Sequence, residues 1–161
     1  PRVQGTGAAY LPASTADNDG TNWAMGTPSK GGLIVHDGAM DFDGNIWFTS
    51  NSTNSLATVG KVDVKTGQVS YKKVPRADGS GRAAPTHGVA RDGEGNLWFD
   101  INPGRRSLGK LDPKSGNINV YPTPENMTPL GGAVTMDVDG KGMVWASAPA
   151  GAVRFNPKTA E

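Results

Sequence analysis

Thr86-His-Gly-Val-Ala-Arg-Asp-Gly-Glu-Gly-Asn-Leu-Trp-Phe-Asp100 resumes after a short loop as Ser107-Leu-Gly-Lys-Leu-Asp-Pro-Lys-Ser-Gly-Asn-Ile-Asn-Val-Tyr-Pro-Thr-Pro124. It reads as four short apolar runs cut apart by Asp-Gly and Ser-Gly turn chemistry, the pattern of hairpin-connected strands. The pattern recurs. Upstream, Asp43-Gly44-Asn45-Ile46-Trp47-Phe48 answers Glu94-Gly95-Asn96-Leu97-Trp98-Phe99, and Val59-Gly60-Lys61-Val62-Asp63 answers Leu108-Gly109-Lys110-Leu111-Asp112. Downstream, Asp139-Gly140 precedes Val144-Trp145, and Val153-Arg154-Phe155-Asn156-Pro157-Lys158 forms a third copy. The tryptophans fall at 47, 98 and 145, steps of 51 and 47 residues. A period of that size with four strands per unit predicts an all-β chain of propeller blades. One four-stranded blade cannot bury both of its faces, so the repeated tryptophans are expected to fill the gaps between stacked neighbours.

The repeat divides the chain into an irregular segment 1–30 with a possible outer strand of a preceding blade, a first blade 31–75, a second blade with its connections 76–129, and an incomplete third blade 130–161. Propellers close with about four to eight blades. About three are present, so the chain reads as part of a larger propeller of six or seven blades. The missing blades are expected either in the same polypeptide or from a partner chain. The chain opens Pro1-Arg2-Val3-Gln4, neither a start methionine nor a signal peptide.

Composition excludes several classes of partner. Lys plus Arg number 16 and Asp plus Glu 15, a balance that offers no electrostatic footprint for nucleic acid or an anionic membrane. No apolar run is long enough to span a bilayer. Cysteine is absent, so there is neither a disulfide framework nor a thiolate metal site. No nucleophile triad or phosphate loop is present.

Turns between first and second strands, and between third and fourth, are short in every copy. The connections at the opposite end, around 50–57, 76–85 and 101–107, are longer and vary. Insertions confined to one face of a repeat array mark a binding face. Both histidines, His36 and His87, precede their blade's tryptophan by the same interval and occupy one repeat slot, at the start of the innermost strand near that face. They are expected side by side, either as acid and base, metal or ligand contacts, or as residues that satisfy backbone groups at a fixed structural position. Asp100 ends the neighbouring strand and reads either as a partner or oxygen ligand beside His87 or as a solvated strand end. Asp37, the pair Arg105 and Arg106, and Trp23 complete the candidate ligand contacts; Arg105 and Arg106 could grip an anion, and also fit a surface charge pair, while Trp23, in a polar loop, reads first as packing over the propeller's rim and second as a stacking surface for a ligand. Asp43, Asp63, Asp92 and Asp112 are expected to be structural.

The run His-Gly-Val-Ala-x-Asp-x-x-Gly-Asn-Leu-Trp-Phe, followed by Leu-Gly-Lys-Leu-Asp-Pro-Lys-Ser-Gly and Val-Tyr-Pro-Thr-Pro, resembles the virginiamycin B lyase (streptogramin lyase) family over about residues 31–161. It is similar, more distantly, to NHL-repeat and gluconolactonase-type propellers. The resemblance implies a propeller whose lyase members open a cyclic depsipeptide antibiotic by Mg2+-dependent elimination. In those members a His in the slot of His87, and equally of His36, acts as general base. They also carry an acidic residue in a Trp-Phe-Thr-Glu pattern, where this chain has Thr49-Ser50, Asp100-Ile101 and Ala146-Ser147; only Asp100 offers a carboxylate, one position early. Two expectations follow: a noncatalytic extracytoplasmic (periplasmic or secreted) propeller module binding a protein partner or small ligand through its long-loop face, or a lyase with His87 as base.

Overall fold

The computed structural model describes residues 35–51, 59–76, 79–80, 82–102, 107–124, 135–148 and 151–160. Every regular element among them is a strand. β1 (Val35–Met40), β2 (Ile46–Ser50), β3 (Val59–Val62) and β4 (Val69–Lys72) make one antiparallel sheet in sequence order. β5 (Thr86–Arg91), β6 (Leu97–Ile101), β7 (Ser107–Leu111) and β8 (Ile118–Pro122) make a second, and β9 (Met136–Val138), β10 (Val144–Ala148) and β11 (Gly151–Phe155) a third. Strand ends fall within a few residues of those read from the repeat. The innermost strands β1, β5 and β9 are neighbours in turn, so the sheets stack as consecutive blades.

The tight turns repeat one device. Asp41 Oδ1 accepts the backbone N–H groups of Asp43 (3.0 Å) and Asn45 (2.9 Å), while its Oδ2 accepts from the Trp47 indole Nε1 (2.8 Å). Asp92 does the same with Glu94, Asn96 and Trp98, and Asp139 with Lys141, Met143 and Trp145. One carboxylate thus closes the hairpin and fixes the indole in its rotamer, satisfying a donor that could not otherwise be buried. The counterpart of Asp92 is Asp41, and Asp43, expected in that structural role, contributes only a backbone N–H. The second turn is an Asx turn at Asp63 and Asp112, where the side chain accepts from the residue two along, with Asn156 in the same place in blade three. Four residues after each comes a left-handed position held by Gly67 (φ 71°), Gly116 (φ 73°) and Ala160 (φ 59°).

Packing follows the repeat. Trp47 and Val59 bury against Val89, Leu97, Phe99 and Leu111 of the second blade, and Trp98 and Leu108 against Met136, Val144 and Ala146 of the third. Within a blade, Phe48 lies over Gly60 and Phe99 over Gly109, directly across the strand pair. A Cβ on either glycine would fall 1.9 Å or 2.2 Å from ring carbons, so only glycine leaves room for the ring. The third blade replaces both partners, pairing Ala146 with Val153. Trp145 departs from the expected inter-blade core. It is 38% exposed, against 4% for Trp47 and 0% for Trp98, because no described sheet lies on its outer face.

Candidate functional site

The histidines sit where the inner strands change register. β1 advances three residues, Val35 to Gly38, while β2 advances two, so His36 and Asp37 share a single partner, Thr49. In β5 the same step from Thr86 to Val89 sets His87 and Gly88 opposite Asp100. A bulge of this kind leaves backbone groups unpaired and re-aims side chains. It lies at the end of each sheet from which the β2–β3 and β6–β7 connections leave, opposite the Asp–Trp turns.

Side chains take up the bulge's backbone groups. The His87 N–H donates to Asp100 Oδ1 (2.6 Å), the His87 carbonyl accepts from Thr49 Oγ1, and the Val89 N–H donates to Asp37 Oδ2 (3.0 Å). In blade one the Asp37 N–H donates to Thr49 Oγ1 (3.2 Å), and in blade three the Thr135 N–H donates to Ser147 Oγ (3.2 Å). Thr49, Asp100 and Ser147 are one repeat slot, two residues after each tryptophan, whose polar side chain caps the inner strand. Ser50 N–H donates to Thr86 Oγ1 (3.1 Å), so Asp37, Thr49 and Ser50 all bond across from blade one to blade two. The bulge is thereby held by both blades.

This brings His36 and His87 together: their rings meet edge to face with centroids 4.7 Å apart and planes at 83°. His36 is exposed, whereas the His87 side chain is only 15% exposed. Behind His87 lies a buried polar group. Asp100 has no exposed surface, so its reading as a solvated strand end is corrected: the end of β6 is covered, with Ile101 and Thr86 also buried. Asn102, not among the expected site residues although Asn51 holds the same slot four residues after Trp47, donates through Nδ2 to Asp100 Oδ2 (2.9 Å), and that nitrogen lies 2.6 Å from His87 Nδ1. Asp100 Oδ2 itself is 3.6 Å from that ring nitrogen, too far for a direct hydrogen bond. Asp37 places Oδ1 on the Gly38 N–H (2.8 Å) and Oδ2 on Val89, so its carboxylate ties backbone in two blades. Trp23, Arg105 and Arg106 lie outside the described residues.

Magnesium, which the lyase resemblance implies, demands several oxygen ligands in near-octahedral geometry. Among the described residues no group of three or more His, Cys, Asp or Glu side chains converges to hold a cation, and both Asp100 oxygens already accept hydrogen bonds. The described donor set therefore does not fit that ion by itself.

The electrostatics away from the histidines concern the turns. Burial pushes the Asp41 and Asp92 carboxyls up, but the indole, Asn and backbone donors outweigh it and leave both below the ordinary carboxylate value. For Asp139 the Trp145 indole and the Met143 N–H do the lowering against little opposition.

The stacked antiparallel sheets of four, four and three strands, their inner strands side by side, define a β-propeller of which the described residues supply two four-stranded blades and three strands of another. The same fold is found in virginiamycin B lyase from Staphylococcus aureus (TM-score 0.57, 20% identity), where the match covers 80% of this chain and 43% of that one. A streptogramin B lyase structure matches with TM-score 0.58 and 22% identity over 86% of this chain and 44% of that chain. An extracellular domain from B. thetaiotaomicron matches with TM-score 0.58 and 14% identity, over 78% of this chain and 15% of that one. A gluconolactonase from Xanthomonas campestris is similar too, with TM-score 0.56 and 16% identity over 76% of this chain and 43% of that chain. At these identities the likeness is one of fold. This chain spans less than half the length of the lyases it matches. No family model and no curated protein matches.

Proposed function

We propose that the chain is part of a noncatalytic, extracytoplasmic propeller module that binds a protein partner or a small ligand through its long-loop face, with His36 and His87 among the contacts. The observation that carries this reading is the engagement of Asp100. It is the one carboxylate that the lyase pattern would assign to chemistry, and here it is buried, with Oδ1 on the His87 N–H and Oδ2 on Asn102. A carboxylate so engaged braces the strand that presents the histidine. The similar fold of an extracellular domain supports an extracytoplasmic setting, and among the described residues no helix is long and apolar enough to cross a membrane.

A lyase reading has its own support in the repeated bulge, which puts two imidazoles in contact at the mouth of adjacent blades, and in the fold shared with lyases, one of them solved with quinupristin. The two readings part on turnover. The complete protein, incubated with quinupristin and Mg2+ and followed by chromatography, is expected to leave the ring closed. Ring opening that disappears in His87→Ala would overturn the binding-module reading in favour of elimination with His87 as base.

A further inference from the structure

We propose that Asn102 is a positioning residue that fixes the neutral tautomer of His87, holding its proton on Nε2, so that the ring presents a hydrogen-bond donor to an oxygen-bearing ligand rather than a basic nitrogen. The Asp100 carboxylate is buried and close to Asn102, and only the amide's NH2 end can face it; the carbonyl end would set two oxygens 2.9 Å apart in a dry site. The NH2 group has two hydrogens. One goes to Asp100 Oδ2, and the other points along the 2.6 Å contact to His87 Nδ1. An amide nitrogen cannot accept, so Nδ1 must, and the neutral ring carries its hydrogen on Nε2.

The arrangement has a visible cost that supports the assignment. Asn102 Oδ1 is buried and, among the described residues, has no hydrogen-bond partner. Leaving an acceptor unsatisfied is unfavourable, and the amide tolerates it because the alternative opposes its carbonyl to a buried carboxylate. In a directly coupled Asp–His pair, the carboxylate accepts a hydrogen bond from Nδ1–H and so leaves Nε2 as the base. An amide interposed between carboxylate and imidazole reverses that polarity: Asp100 orients Asn102, and Asn102 orients the ring's proton. Among the described residues, the groups around the ring include His36 from β1, Asp100 from β6, Asn102 just after it, and the Thr49 hydroxyl on the His87 carbonyl.

The ligand chemistry rests on the binding-face reading above, but the tautomer can be measured without any ligand. In the 15N-labelled protein, above the pH at which the ring titrates, long-range proton–nitrogen spectra should show His87 with a pyridine-like Nδ1 and a pyrrole-like Nε2. Asn102→Asp puts a carboxylate beside Nδ1, and the tautomer ratio should shift toward Nδ1–H by about tenfold or more, with the ring's titration moving to higher pH. Asn102→Leu, which keeps the volume without the amide, should relax the tautomer ratio to that of a free histidine ring, with a measurably larger Nδ1–H fraction than in the wild type, and serves if the Asp variant does not fold. A pyrrole-like Nδ1 in the wild type, or a tautomer ratio unchanged in either variant, would overturn the proposal whatever the protein binds.

Discussion

Among the described residues blade two is packed on both faces and blade three on one, and the same residue in the two blades shows what that costs. Trp98 and Trp145 share a repeat slot, each bonds an aspartate through its indole, and each stands across a strand pair from a cation, Lys110 or Arg154. Trp98 is wholly buried among Tyr121, Phe155 and the third blade's apolar residues, while Trp145 keeps 38% of its surface exposed. A local hairpin therefore fixes the indole's rotamer with or without a neighbour. Burial, which carries most of the energy, is supplied by the next blade.

The largest effect should come from breaking that contrast directly. Trp98→Ala is expected to destabilise by about 3–5 kcal/mol in chemical denaturation, and Trp145→Ala by roughly half as much. Equal losses in the complete protein would show that a further blade covers Trp145 as the third covers Trp98.

A middle-sized effect separates the two ends of the aspartate device by pH. Asp92 has a folded pKa below its unfolded value, so its contribution is fully present above about pH 4. It is lost as the pH falls through the unfolded value and on through the folded one. Denaturation midpoints measured from pH 7 to pH 3 should drop in that window. Asp92→Asn should cost roughly 1–3 kcal/mol at pH 7, by turning an acceptor toward Glu94, Asn96 and Trp98 into a partial donor, and should flatten the acid limb. The same substitution at Asp139, whose Trp145 partner is 38% exposed, should move the curve less.

The smallest effect should be a gain. Ala160 holds the left-handed turn position that Gly67 and Gly116 hold elsewhere, and its N–H makes the same bond to the residue four before it. Ala160→Gly removes a Cβ penalty and should raise stability by about 0.5–1 kcal/mol in thermal unfolding. No change would mean that the third turn is too lightly held to matter.

The architecture was legible because its determinants are periodic. Tryptophan spacing, Asp-Gly and Ser-Gly turns and the short apolar runs each repeat, so three copies reinforce one reading. The adjacency of His36 and His87 was legible for the same reason, since equal slots on neighbouring blades must meet. The role of Asp41 was also written in the sequence, six residues before Trp47 as Asp92 is before Trp98 and Asp139 before Trp145, but Asp43 beside Gly44 drew attention away from it. What periodicity could not supply was the surroundings of His87. The slot holding Thr49, Asp100 and Ser147 signals only that a polar group recurs, not that in blade two it is a buried carboxylate. Asn102 stands four residues after Trp98 as Asn51 does after Trp47, so the repeat carried a signal for it, but a recurring amide at a strand end does not show that in blade two it lies between a buried carboxylate and an imidazole.

The pairing of Phe48 with Gly60, of Phe99 with Gly109 and of Ala146 with Val153 constrains how such a chain can have diversified. A valine placed at Gly109 would collide with Phe99, so Gly109 can take a side chain only after Phe99 has become smaller, and that intermediate carries a cavity rather than a clash. Changes to the pair therefore have an order, the ring before the glycine.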